Sequence, residues 1–108
     1  MAREVSRGDI WLYRFAPPDK RRPVLVLSRP AALRLIRTAI VAPITTSPRG
    51  LPSEVRLGTE HGLKTVSAVN LDHLYTVPQS ELRQWVGRLD ASLMREVCEA
   101  AAVALGCD

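Results

Sequence analysis

Three kinds of side chain in this sequence are able to do chemistry, and their spacing says what kind. The first is a run of guanidinium and ammonium groups. Between Ile10 and Ser53 the basic residues are Arg14, Lys20, Arg21, Arg22, Arg29, Arg34, Arg37 and Arg49, and the acid in that stretch is Asp19. The net charge is +4, and most of the remaining acids lie in the second half. This asymmetry points to a polyanion facing the first half. The second is the adjacent pair Asp72 and His73, a carboxylate beside an imidazole that exchanges protons near neutral pH. On a continuous strand adjacent side chains point to opposite faces, so only a bulge would bring both into one cleft. The third is the hydroxyl cluster Thr45, Thr46 and Ser47, able to donate hydrogen bonds without adding charge.

Other reactive side chains are poorly placed. Cys98 and Cys107 form no Cys-x-x-Cys pair and have no histidine cluster near them, which argues against a zinc site. Cys98 falls on a helical stripe and reads as core, Cys107 as a bystander near the C-terminus. His61, in Glu-His-Gly, reads as a solvent-exposed turn. No metal and no cofactor are expected.

The chain that must position these groups has 108 residues and is 46% hydrophobic, enough for one modest core. Met1–Ser6 reads as a tail and residues 7–106 as a single domain. The N-terminus lacks the apolar stretch of a signal peptide, and no apolar run approaches a membrane span. The expected location is the cytoplasm, with no membrane partner.

Strands are expected at 10–15, 22–28, 38–45, 53–57, 65–76 and 84–89. The stretch 65–76 alternates, placing Val66, Ala68, Asn70, Asp72 and Leu74 on one face and Ser67, Val69, Leu71, His73 and Tyr75 on the other. Ala16–Arg21 is a stiff basic loop with two prolines. Arg29–Ile36 is ambiguous, one option being a helical turn opened by Pro30. Val77–Ser80 turns into a brief helix. Asp90 reads as the N-cap of a helix over Ala91–Leu105 stopped by Gly106. Its buried stripe is expected to be Leu93, Met94, Val97, Cys98, Ala101 and Leu105. Many short strands and then one helix suggest a mainly β, α+β fold: a small bent barrel covered by a C-terminal helix. Phe15, Tyr75 and Trp85 are expected in the core or an interface.

Four segments in order resemble one family. Arg7-Gly8-Asp9-Ile10-Trp11 resembles the opening of the first strand in MazF/PemK-type toxins. Arg21–Ser28 (RRPVLVLS) resembles their second strand, Val41–Ser47 (VAPITTS) the end of their third, and Val86–Leu89 with Leu93-Met94-x-x-Val97 and Ala104–Gly106 their last strand and helix. The resemblance covers about Arg7 to Gly106. It implies an SH3-like barrel shared with the CcdB gyrase poisons, a homodimer, cleavage of single-stranded mRNA, and a cognate antitoxin winding over the RNA groove.

The resemblance also implies roles. Arg22, before Pro23, matches the family's catalytic arginine. A guanidinium can grip two non-bridging phosphate oxygens as a 2′-hydroxyl attacks the next phosphate, and Pro23 limits its motion. Thr45 matches the threonine ending the third strand, with Thr46 and Ser47 as local alternatives. Asp72 matches an acid implicated in RNA contact or base catalysis in the PemK branch, although that branch has arginine where this chain has Asn70. Lys20, Arg21, Arg49, Asn70 and His73 are RNA-binding candidates. The first loop is shorter than in many members, so Asp19 takes over a family glutamate's role or the proton acceptor lies elsewhere. Two other readings stay open: a binding module without catalysis, such as a gyrase poison, and a degenerate member retained as an antitoxin partner.

Overall fold

The structure is a computed structural model and describes residues 3–17 and 20–108. It contains strands β1 (Asp9–Arg14), β2 (Arg21–Val26), β3 (Thr38–Thr45), β4 (Glu54–Leu57), β5 (Ser67–Asn70), β6 (Tyr75–Pro78) and β7 (Gln84–Arg88). Helix α1 spans Pro30–Leu35, helix α2 spans Ala91–Leu105, and single 3₁₀ turns occur at Thr59–His61 and Gln79–Glu81. The strands form one curled antiparallel sheet in the order β4-β5-β3-β2-β1-β7, with β6 also paired to β3. This is the mainly β barrel-like fold with a C-terminal helix that the pattern of elements implied.

The sheet encloses two apolar clusters. Ile10, Leu25, Ile44, Leu57, Val69 and Leu71 build one beneath α2, and Trp11, Val24, Val26, Val41 and Val77 build the other. Alternation along β1 and β2 sorts the residues between them: Ile10 and Leu25 pair on one face, Trp11 and Val24 on the other. Helix α2 has the expected ends. Asp90 accepts a hydrogen bond from Leu93 N at 2.8 Å, and Gly106 takes the left-handed conformation that stops the helix.

Its buried stripe differs from the expected one. Val97 and Ala100 are buried, and Leu93, Met94, Ala101 and Ala104 pack against the core, whereas Leu105 is 64% exposed and Cys98 is exposed. The stripe drifts because 3.6 residues per turn favours position 100 over 98 and 104 over 105 once Val97 sits at the centre. The ambiguous 29–36 segment is a helix opened by Pro30. His61 is also corrected: its side chain is only 14% exposed, with Nε2 3.3 Å from Glu60 Oε1.

The Arg7-Gly8-Asp9 opening is a structural knot. Gly8 has φ +91°, receives Leu89 N on its carbonyl at 2.9 Å and donates its N–H to Val26 O at 2.9 Å. Asp9 is fully buried and accepts from Ser6 N at 3.0 Å and Trp85 Nε1 at 3.4 Å, with Arg88 Nη1 3.6 Å away. The Arg7 guanidinium donates to Leu27 O and lies 3.1 Å from Cys98 Sγ. One short motif thus ties β1 to β2, β7 and α2.

The 59–62 turn crosses β7 so closely that a Cβ on Gly87 would collide with the backbone carbonyl of His61. The contact is backbone against backbone, so the turn or the strand would have to shift. Gly87→Ala should therefore cost about 1–3 kcal/mol of stability, seen as a lowered midpoint in thermal or urea unfolding. An unchanged midpoint would mean the crossing is not tight.

Candidate active site

The site lies where β3 changes partners. Along one edge β3 pairs with β6 over Thr38–Val41 and with β5 over Ile44–Thr45. Between those ladders, at Ala42 and Pro43, the two partner strands separate. Pro43, which has no N–H to give to a ladder, falls in that interval. The chain linking β5 to β6 turns there, through Leu71–Leu74, and a cleft of about 270 Å³ opens beside it.

Each wall comes from a separate element. Strand β2 supplies Arg22, which pairs with Tyr13 of β1 in the register and is exposed on the sheet face that carries Val24 further along. Strand β3 supplies Pro43, Ile44 and Thr45, and Ser47 and Arg49 follow from the loop after it. Glu54 opens β4 opposite Asn70 at the end of β5, and both side chains line the cleft. His73 enters from the turn, and Tyr75 and Phe15 close the aromatic side with ring centroids 5.0 Å apart.

Local hydrogen bonds hold these walls. Thr45 Oγ1 accepts from Ser47 N at 3.0 Å. Asn70 Oδ1 accepts from Asp72 N at 3.0 Å, an Asx turn that bends the chain out of β5. Ser53 Oγ donates to the Asp72 carboxylate, and Leu71 N donates to Ser53 O at 3.1 Å. Glu54 Oε1 accepts from Arg49 N and Gly50 N at 2.9 Å each and from Leu51 N at 3.3 Å.

Six of the residues singled out from sequence therefore converge: Arg22, Thr45, Ser47, Arg49, Asn70 and His73. Others stand apart. Asp72 is turned to Ser53 and does not line the cleft. Arg21 points to the other face of β2 and donates to Gln84 Oε1 at 3.2 Å. Lys20 and Arg21 flank a neighbouring cleft with Arg14, Phe15 and Pro17, and Thr46 faces a third one beside Pro23 and Trp85. Asp19 lies outside the described residues.

The expectation of one strand over 65–76 is corrected. β5 ends at Asn70 and β6 begins at Tyr75. This break turns Asp72 to Ser53 and leaves His73 lining the cleft, and the Asn-x-Asp spacing is the sequence signal for it. Of the aromatic residues expected in the core or an interface, Phe15 packs partly buried against the second cluster while lining the cleft, and Tyr75 lines the cleft at 42% exposure. Trp85 is 40% exposed, with the Arg3 guanidinium 3.9 Å over its ring. Glu54 went unnoticed because a lone glutamate at a strand start carries no pattern. Among the described residues no three His, Cys, Asp or Glu side chains converge as a metal site.

Residues 6–105 match the family of PemK-like, MazF-like toxins of type II toxin–antitoxin systems. The chain belongs to this toxin family. It is 46% identical over 105 residues to the probable endoribonuclease MazF5 of Mycobacterium tuberculosis, covering 94% of each chain. Its fold superposes on the Mycobacterium tuberculosis toxin MazF-mt6 with a TM-score of 0.84 at 36% identity, covering 93% of this chain and 98% of that one. A mycobacterial endoribonuclease solved in complex with its cognate antitoxin gives a TM-score of 0.85 at 26% identity, covering 96% of this chain and 97% of that one.

Behind the aromatic wall, Tyr13 packs edge-on against Phe15 at 4.9 Å and donates its phenol to Glu81 Oε1 at 2.9 Å. Burial first, then the hydrogen bond and charge of Glu81, raise the Tyr13 phenol above its ordinary 10. The folded state holds this proton more tightly, so the contribution to stability is complete below pH 10 and fades as pH rises through the raised value. Glu81→Gln should move the Tyr13 ionisation, read by ultraviolet titration, part of the way back, with burial accounting for the rest. No movement would show that Glu81 does not act on the phenol.

Proposed function

We propose that this chain is the toxin of a toxin–antitoxin pair, an endoribonuclease that cuts single-stranded mRNA in the cytoplasm. The observation that carries the reading is the convergence of Arg22, Thr45 and Ser47 on one open cleft in a chain of this family. The chemistry assigned to it is transesterification. The 2′-hydroxyl attacks the adjacent phosphorus, the bond to the 5′-oxygen breaks, and a 2′,3′-cyclic phosphate and a 5′-hydroxyl result.

Negative charge grows on the non-bridging oxygens as that bond changes. The Arg22 guanidinium supplies a planar pair of donors for them, and its permanent charge needs no proton transfer to become active. Thr45 adds a neutral donor, its oxygen oriented by Ser47 N. His73 and Asn70 contact the RNA from the turn side and Arg49 from the loop side. Phe15 and Tyr75 offer ring faces to unstacked bases. Asp72 contributes through the turn that carries His73, its carboxylate being engaged by Ser53. Lys20, Arg21, Thr46 and Asp19 belong, in this reading, to the flanking path of the strand rather than to the reacting phosphate.

Because a guanidinium provides the positive charge, cleavage is assigned no metal. Arg22→Ala should lower cleavage of a long RNA at least about a hundredfold while the unfolding midpoint is retained, and EDTA should leave the wild-type rate unchanged. Mapped products should carry 5′-hydroxyl ends. RNA left intact by the purified chain, with arrest of gyrase instead, would overturn the reading in favour of a poison. Full activity in Arg22→Ala would overturn the mechanism.

The same reading includes a homodimer. Leu35 and Ile36 at the end of α1 and Ile40 in β3 are 80%, 51% and 45% exposed, apolar side chains that solvent disfavours. A second copy is the proposed cover, and an antitoxin segment the proposed occupant of the cleft. Sedimentation should give a dimer that Ile40→Asp converts to monomer. A monomeric wild type at micromolar concentration would rule the dimer out.

A further inference from the structure

We infer that Glu54 is a positioning residue: its carboxylate fastens the 49–51 loop so that Arg49 is presented to the RNA. The inference rests on the ribonuclease reading and adds to it a residue that neither sequence pattern nor cleavage chemistry calls for.

The segment from Thr46 to Ser53 links β3 to β4 and contains Pro48, Gly50 and Pro52. Three successive N–H groups in it, those of Arg49, Gly50 and Leu51, have no strand partner. All three converge on Glu54 Oε1, at 2.9, 2.9 and 3.3 Å. Glu54 N donates back to Leu51 O at 3.0 Å, so the attachment runs in both directions. Gly50 has φ +72°, a left-handed residue that lets consecutive N–H groups face one side. The Arg49 and Glu54 side chains then both line the cleft.

A carboxylate in a cleft for a polyanion should weaken binding unless something offsets its charge. Three backbone donors aimed at one oxygen partly offset that charge. A surface arginine loses several rotatable degrees of freedom when it grips a phosphate or base edge. Anchoring its backbone on both sides reduces that loss. Glu54 therefore acts on substrate binding through Arg49, not on bond breaking.

The test is steady-state cleavage of a short single-stranded RNA carrying one mapped site, by wild type, Glu54→Ala, Glu54→Gln, Arg49→Ala and Arg49→Ala with Glu54→Ala. Glu54→Ala should raise KM about tenfold with kcat within about twofold. Glu54→Gln keeps a side-chain acceptor for the loop and should restore most of the affinity. In the Arg49→Ala background the further effect of Glu54→Ala should be under about twofold, since the two act as one unit. Thermal unfolding shows which variants are folded, and Glu54→Gln with Arg49→Ala carries the comparison if Glu54→Ala is not. A large fall in kcat for Glu54→Gln, or effects of Glu54 and Arg49 that multiply in full, would overturn the inference. Should wild type leave the RNA intact, the ribonuclease reading fails by itself. The same variants are then compared by RNA binding, where equal affinities, or none for any of them, would overturn the positioning role too.

Discussion

One strand edge cannot carry two partners at the same place, and the candidate active site depends on how β3 deals with that. Its edge belongs to β6 near Thr38 and to β5 near Thr45, so the sheet must part between them. The parting opens a cleft at the surface, and the stretch left without a partner on that edge contains Pro43 and therefore one fewer N–H in need of one. It also places the connecting turn, with His73, beside the strand end that carries Thr45. Arg22 joins them because β2 lies against the other edge of β3, with Val24 opposite Pro43. Three segments far apart in sequence meet as a consequence of sheet topology alone.

A cleft proposed to take phosphate has a second requirement, which is to engage the carboxylates that the fold brings near it. This chain has two there, Glu54 and Asp72. The first is met by three backbone N–H groups and the second by the Ser53 hydroxyl. Ser53 and Glu54 are adjacent at the start of β4, so a single strand end restrains both the 49–51 loop and the 71–74 turn. Among the described residues these partners are backbone N–H groups and a hydroxyl rather than cations. That leaves the guanidinium of Arg49 to face the cleft, in agreement with a surface that attracts a polyanion.

How much of this could be read from the residues follows from which forces are local. Helix α2 was legible at both ends, since Asp90 caps it and Gly106 stops it by bonds spanning a few residues. β3 was legible to the residue, as a β-branched run between turn signals. The break between β5 and β6 was not. Alternating polarity continues through Asn70, Leu71 and Asp72, and the turn is decided by Asn70 receiving Asp72 N and by Ser53, nineteen positions away, taking the carboxylate. Of the site, Arg22, Thr45 and Arg49 were visible by type and resemblance. Phe15, Tyr75 and Glu54 were not, because an aromatic ring at a strand end and a lone glutamate gain meaning only once the sheet has curled around them.

The division of labour along the chain follows the same lines. Arg7-Gly8-Asp9, a conspicuous charged motif, is committed to the fold: its aspartate is fully buried and its arginine is engaged by Leu27 and lies against Cys98. Replacing a charge there leaves buried groups without partners, which is expensive. The residues that line the cleft sit instead on a strand end, a loop and a turn, where a change of side chain disturbs little packing. In the proposed reading, a barrel of this kind keeps the guanidinium and hydroxyl assigned to the phosphate on strands, while base contacts come from the loop after β3 and the turn after β5. The two groups of residues meet because β3 serves both, carrying Thr45 at its end and pairing with β5 and β6, the strands on either side of the turn.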